Sequence, residues 1–94
     1  MFVRIATFEG GDVERLRELN EERMASGEIN PPAGVKRAML LQNDKRLFVT
    51  FFDSRGELEA AEQRFEQMGN EIPEEIRGRR VAVDVYEVVF DGEL

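Results

Sequence analysis

Few folds are compatible with the order in which strand and helix patterns alternate along this chain. β-branched and aromatic residues dominate four segments, and two other segments are apolar at every third or fourth position. The predicted strands cover residues 2–8, 35–42, 47–52 and 81–90, and the predicted helices cover residues 12–26 and 54–68. This β-α-β-β-α-β order is the split βαβ, or ferredoxin-like, arrangement. Because crossovers are right-handed, it predicts an antiparallel sheet in the order 4-1-3-2 with both helices on one face.

The first predicted helix lies between residues that suit helix ends. Asp12 can accept hydrogen bonds from the first turn, and Gly27 suits the C-terminal end. Residues 28–34 follow as a loop, because Pro31 and Pro32 are excluded from helix interiors and from central strands.

The second predicted helix has the strongest local signature in the chain. Residues 54–57, Ser-Arg-Gly-Glu, match a capping box in which Ser54 accepts from the amide of Glu57 and the Glu57 side chain reaches back to the Ser54 amide. One apolar stripe follows, formed by Leu58, Ala61, Phe65 and Met68. Gly69-Asn70 is expected to end the helix, and Pro73 is expected to begin one further helical turn.

Length and composition predict a single α+β domain over residues 1–94 and exclude several function classes. The net charge of −7 disfavours a nucleic-acid partner, which requires clustered Lys and Arg. No apolar run approaches the roughly 18–20 residues of a membrane span, and the N-terminus lacks the pattern of a signal peptide. We therefore expect no membrane association and a cytoplasmic location.

The residue types that are missing limit the chemistry further. The chain contains no Cys, no His and no Trp. Thiolate and imidazole ligands are therefore lacking, and so is the side chain that most often serves as a general base. We expect no metal site and no cofactor.

Both faces of the predicted sheet are apolar. Leu47, Val49 and Phe51 alternate with Phe48 and Phe52, Met39 and Leu41 with Ala38 and Leu40, and Val81, Val83, Val85 and Val89 with Tyr86, Val88 and Phe90. Two helices cover only one face, and an exposed apolar sheet would favour aggregation. The pattern predicts a homodimer that packs sheet against sheet, with either alternate set inside. The alternative is a monomer with a modestly apolar sheet.

With these elements in place, the chain resembles the antibiotic biosynthesis monooxygenase-like domains of the dimeric α+β barrel superfamily. The resemblance covers residues 1–91. It rests on a short first strand running into a glycine-initiated helix, on Leu47 to Ser54 as a strand feeding a Ser-capped helix, and on the valine-rich residues 84–88. It implies a barrel of two sheets packed face to face. It also implies a pocket between sheet and helices for a small aromatic molecule, a polyketide-like molecule or a haem.

The catalytic residues of that superfamily are mostly absent. Its haem-degrading members use a helix His, a first-strand Asn and a Trp, and residues 1–10 here contain no Asn. The resemblance therefore implies no haem degradation. The cofactor-free oxygenases of the superfamily use Asn, Trp and Tyr, of which only Tyr86 and scattered Asn residues remain.

Four residues are candidates for ligand contact, each with a structural alternative. Tyr86 is either a pocket donor or general acid, or a strand tyrosine with a solvated hydroxyl. Arg4, a cation among apolar strand residues, either anchors a carboxylate or an enolate or pairs with Glu87 or Asp84 on a neighbouring strand, which we favour. Asn20 interrupts the apolar stripe of the first helix, so its amide requires a partner, which is a ligand, a water or a backbone carbonyl. Arg23, one turn further on, has the same alternatives.

Three functions remain open from the sequence. The chain binds a hydrophobic small molecule without proven catalysis, or it is a cofactor-independent monooxygenase for an aromatic or polyketide-like substrate, or it is a regulatory ligand-sensing module. In the first case the expected ligand is a neutral or weakly acidic apolar molecule, bound near Asn20 and Tyr86.

Overall fold

The computed structural model of the protein describes residues 1–26 and 33–93. Its elements are β1 (Phe2–Glu9), α1 (Val13–Ser26), β2 (Arg37–Gln42), β3 (Arg46–Phe52), α2 (Arg55–Glu71), α3 (Glu74–Arg77) and β4 (Arg79–Glu87). The four strands form one antiparallel sheet in the order β2-β3-β1-β4. The predicted α+β class, element order and strand order are confirmed.

Strand register divides the side chains of the sheet between two faces. Arg4 lies opposite Thr50 and Val85, whereas its neighbour Val3 lies opposite Phe51 and Tyr86. We call the first side the helix face, because α2 packs on it. It comprises Phe2, Arg4, Ala6, Phe8, Ala38, Leu40, Gln42, Arg46, Phe48, Thr50, Phe52, Arg80, Val83, Val85 and Glu87.

The other side is the open face, and it carries the alternate residues of the same strands. It comprises Val3, Ile5, Thr7, Glu9, Arg37, Met39, Leu41, Leu47, Val49, Phe51, Arg79, Ala82, Asp84 and Tyr86. Of the two sets that the sequence left open, Leu47, Val49 and Phe51 therefore face away from the helices.

The hydrophobic core lies between α2 and the two central strands. Phe52, Leu58, Ala61 and Phe65 are buried together, and Met68 packs against them in part. The ring of Phe65 meets the rings of Phe48 and Phe52 edge-on, at centroid distances of 6.3 and 6.2 Å. The predicted apolar stripe of the second helix is confirmed, and each large side chain buried there contributes roughly 1.5–3 kcal/mol.

Both predicted N-terminal caps are present. The Asp12 carboxylate accepts from the amide of Arg15 at 3.1 Å, and the Ser54 hydroxyl accepts from the amide of Glu57 at 3.2 Å. Each bond satisfies one of the amides that a helix start leaves without a partner. The predicted helix end at Gly27 and the loop positions 28–32 lie outside the described residues.

The predicted end of the second helix was wrong. α2 continues through Gly69 and Asn70 to Glu71, and Ile72 leaves the helix with φ −111° and ψ 126°. Because Ile72 precedes Pro73, the proline ring disfavours the helical conformation there, so Pro73 rather than Gly69 sets the boundary. Pro73 is then the N-cap of α3, one position before its predicted place, and the extra helical turn is confirmed.

Two strands are shorter than predicted, and β4 contains a bulge. β2 begins at Arg37 rather than Val35, although the Lys36 amide still donates to the Phe51 carbonyl at 2.9 Å. β4 ends at Glu87, so the predicted positions 88–90 lie beyond the strand. Thr7 pairs with Ala82 but Phe8 pairs with Arg80, so Val81 has no partner on β1. Val81 is therefore not part of the predicted alternation with Val83 and Val85.

A tight junction, here called the glycine corner, joins the ends of β1 and α3 to the start of β3. Arg46 Nη2 donates to the carbonyl oxygens of Gly10 and Arg77, and the amide of Asp12 donates to Ile76. Gly11 and Gly78 have φ of 83° and 82°, and a Cβ on either would lie within 2.8 Å of three atoms. The corner therefore requires glycine for both conformation and space.

Candidate functional site

A cavity of about 410 Å³ lies between the helices and the helix face of the sheet. Its apolar lining comes from every layer around it: Ala6, Phe8, Leu16, Leu40, Phe48, Phe65, Met68 and Ile72. Polar and charged lining residues are Arg4, Asn20, Arg46, Glu66, Asn70, Glu74, Arg77, Arg79 and Arg80. A volume of this size lies within the range of small-molecule sites.

A small side chain on the central strand makes room for this cavity. Ala6 is buried and lies between Phe48 on β3 and Val83 on β4. A methyl group at this position leaves space that a larger residue in the same row would fill. The alternation of valines and aromatic residues in the strands does not predict this cavity. The cavity depends on which residues the strand register places opposite one another.

Arg4 is the most deeply buried charged residue at the cavity. Only 1 % of it is exposed, and its guanidinium carbon lies 4.3 Å from the centroid of the Phe65 ring. Its Nε donates to Glu62 Oε1 on α2 at 2.8 Å. The favoured prediction of a pair with Glu87 or Asp84 was wrong. Asp84 lies on the open face. The carboxylate that pairs with Arg4 comes from the helix above β1, whereas the prediction placed it on a neighbouring strand.

Two buried polar atoms remain without hydrogen-bond partners in the described part of the chain. They are Arg4 Nη2 and Thr50 Oγ1, which belong to directly opposed residues of β1 and β3. A buried donor without an acceptor costs about 1–3 kcal/mol. Arg4 therefore retains donor capacity at the base of the cavity.

Several further arginines surround the cavity, and they are held in different ways. Arg80 pairs with Glu66 at 2.7 Å, and Arg79 pairs with Glu9 at 3.4 Å. Arg46 and Arg77 instead donate to backbone carbonyls, Arg77 to that of Ile72 at 3.2 Å. The bulge at Val81 places Arg80 opposite Phe8, on the helix face. Sequence reasoning missed this grouping, because the arginines come from β3, α3 and β4.

The four candidates from the sequence are not brought into one site. Asn20 and Arg4 line the cavity, on α1 and β1. Arg23 lies one turn beyond Asn20, and its Nη1 is 3.9 Å from Glu71 Oε2 at the end of α2. Tyr86 is 55 % exposed and opposes Val3 on the open face. The expected pocket near both Asn20 and Tyr86 was therefore wrong, because Tyr86 lies across the sheet from Asn20.

The open face presents its apolar residues in continuous rows across the strands. One row runs Met39, Val49, Ile5, Asp84, and the next runs Leu41, Leu47, Thr7, Ala82. Charged side chains of this face are Arg37 and Asp84 on the edge strands and the opposed pair Glu9 and Arg79 at the end of β1 and the start of β4. Its centre therefore resembles a protein interior more than a solvated surface.

Residues 1–26 and 33–93 contain no group of three or more acidic side chains placed to hold a metal ion. Within the same ranges, no helix is long and apolar enough to cross a membrane. No family model and no curated protein matches the chain. The cavity lining itself offers an apolar surface with guanidinium and amide groups.

Proposed function

We propose that the protein binds a hydrophobic small molecule in the cavity on the helix face, and that it does so as a homodimer. The cavity carries this proposal. Phe48, Phe65 and Met68 form apolar walls, and Asn20 and Arg4 supply a few polar groups. A mostly apolar concavity with a few polar groups is the usual composition of a small-molecule site.

The size of the core supports a second copy on the open face. In the described part of the chain only six apolar residues are buried, among them two alanines. The exposed surface is 6659 Å². A monomer of this mass typically exposes about 5,500 Å². Val89 and Phe90 contribute to the excess, as do Leu41 and Tyr86 on the open face and Leu40, Val83 and Val85 on the helix face.

A face-to-face dimer agrees with the resemblance to the antibiotic biosynthesis monooxygenase-like domains. The confirmed element order and sheet order are those that such a barrel requires. Catalysis is not part of the proposal. Tyr86, the candidate for proton transfer, lies on the opposite side of the sheet from the cavity and does not line it.

Filling the cavity tests the binding site directly. The neutral fluorescent probe N-phenyl-1-naphthylamine should bind the protein, and Ala6→Leu should weaken that binding at least about tenfold, because the added atoms occupy the space above β1. Ala60→Leu is the matched control, since Ala60 is exposed on α2 and outside the cavity lining. Equal loss in both variants, or no binding to the parent, would refute the site.

Light scattering tests the dimer. The protein should have twice the mass of one chain at micromolar concentration, with an interface that buries more than ~2,000 Å² in total. A stable monomer at that concentration would refute the dimer. It would leave the cavity proposal standing, since all the cavity residues belong to one chain.

A further inference from the structure

We infer that the ligand of the cavity is an apolar molecule with a carboxylate, and that this carboxylate accepts a hydrogen bond from Arg4 Nη2. The inference rests on the proposed function, because it names the chemical class of the ligand in the same cavity. It narrows the expectation from the sequence, which allowed a neutral molecule.

The charge of the cavity lining is opposite to that of the chain. The net charge of the protein is −7, yet among the described residues five arginines and two glutamates line the cavity. Arg46 and Arg77 donate to carbonyl oxygens, which carry no net charge. A cavity whose lining has an excess of one sign of charge within low-dielectric walls concentrates ligands of the other sign. This cavity therefore favours an anion.

Arg4 supplies the specific donor. Glu62 occupies its Nε, whereas its Nη2 has no partner among residues 1–26 and 33–93. Carboxylates are the acceptors that a guanidinium binds most strongly, through charge-assisted hydrogen bonds. Since Arg4 is only 1 % exposed, the contact includes a small shift of side chains around it.

The other residues that line the cavity determine the size and shape of the apolar part of the ligand. Ala6, Leu16, Phe48 and Met68 provide aliphatic and aromatic surfaces within about 410 Å³. This space suits a bicyclic aromatic acid, and 2-naphthoic acid is a suitable probe. 2-Naphthamide has nearly the same shape without the charge, so the pair isolates the contribution of the carboxylate.

The first measurement compares the two probes on the unmodified protein by calorimetric titration at neutral pH. The acid should bind at least about tenfold more tightly than the amide, since one charge-assisted hydrogen bond in a desolvated site gives that factor or more. Equal affinities would overturn the inference and leave the proposed function standing. Failure of both probes to bind would overturn both.

Arg4→Gln tests the assigned donor. The ratio of acid to amide affinity should fall to within about twofold of one. Arg55→Gln is the matched control, because Arg55 is exposed on α2 and pairs with Glu59. A preference for the acid that survives Arg4→Gln would overturn the assignment to Arg4.

Glu62→Gln tests the same contact in the opposite direction and does not remove Arg4. A glutamine at this position can still accept from Nε, but it no longer offsets the guanidinium charge. The preference for the acid should therefore rise by at least about threefold. Glu59→Gln removes an equal charge from the exposed side of α2 and should leave the preference unchanged. Equal changes in both variants, or none in Glu62→Gln, would mean that Arg4 and Glu62 form a structural pair only.

Discussion

In most sheets the face packed against helices is apolar and the face without helices is polar. The two faces of this sheet depart from that distribution. On the helix face α2 packs over β1 and β3, and the residues buried there include Arg4, Arg46 and Thr50. No described helix packs on the open face, yet its residues on β2, β3 and β1 are apolar apart from Thr7, Arg37 at one edge and Glu9 at the end of β1. In this molecule, helix packing on a face of the sheet therefore does not determine whether that face is apolar.

This difference corresponds to the separate roles that we propose for the two faces. A cavity and buried polar groups reduce the stability of the helix face, as is common where a protein binds a ligand. On the open face Val49 is buried within the sheet, whereas Leu41 and Tyr86 remain exposed unless another surface covers them. In the proposed function, the helix face binds the ligand and the open face forms the dimer.

The largest expected effect comes from a charge placed on each face in turn. Phe52 is fully buried on the helix face, so Phe52→Asp should abolish folded protein, with a loss of more than about 4 kcal/mol. Phe51→Asp places the same charge on the open face and should remove soluble dimer. Soluble yield and light scattering report both results. A soluble Phe51→Asp protein with the melting temperature of the parent would show that the open face is in contact with water.

A smaller effect is expected at the glycine corner, which anchors the polar end of the helix face. A Cβ on Gly78 would lie 2.5 Å from Arg46 Nη2 and 2.7 Å from the carbonyl oxygen of Gly10. Gly78→Ala should therefore cost about 2–4 kcal/mol in the free energy of unfolding.

Gly10→Ala is the matched comparison for this measurement. Gly10 has a φ of 73°, and a Cβ there meets no described atom within 4 Å. Conformational strain alone should cost about 1–2 kcal/mol. Urea unfolding of the two variants measures the difference. Equal losses would show that the close packing around Arg46 contributes nothing.

The smallest expected effect concerns the helix that covers the helix face. Ser54→Ala removes the hydroxyl that accepts from the Glu57 amide and should cost about 1 kcal/mol. The thermal midpoint should fall by several degrees. An unchanged midpoint would mean that the bond adds nothing to the stability of α2.

Most of the fold followed from local patterns in the sequence. Asp12 and Ser54 each indicated a helix start, and the stripe ending at Met68 indicated the buried side of α2. The errors lie where two local signals compete. Gly69-Asn70 is a common helix end, but Ile72-Pro73 imposes the stronger steric restriction. At β4, the valine alternation concealed the bulge at Val81.

The candidate site was much less predictable. Asn20 was identified as a polar interruption in an apolar helix stripe, and Arg4 as a cation among apolar strand residues. The partner of Arg4 is on α2, 58 residues further along the chain. Strand pairing does not predict contacts between a strand and a helix packed above it. The cavity depends on Ala6 lying opposite Phe48, and the arginines around it come from separate elements. Each of these features requires the tertiary structure.

The glycine corner also has a consequence for how fast the protein unfolds. The two bonds from Arg46 Nη2 span 36 and 31 residues of chain, so they form only after β1, β3 and α3 have all reached their final positions. Contacts of this kind are expected to be absent from the folding transition state. Their loss in Arg46→Gln should then accelerate unfolding while leaving the refolding rate almost unchanged. Stopped-flow measurements of the two rates would show whether the hydrogen bonds of Arg46 set the unfolding rate, and thereby the lifetime of the native state.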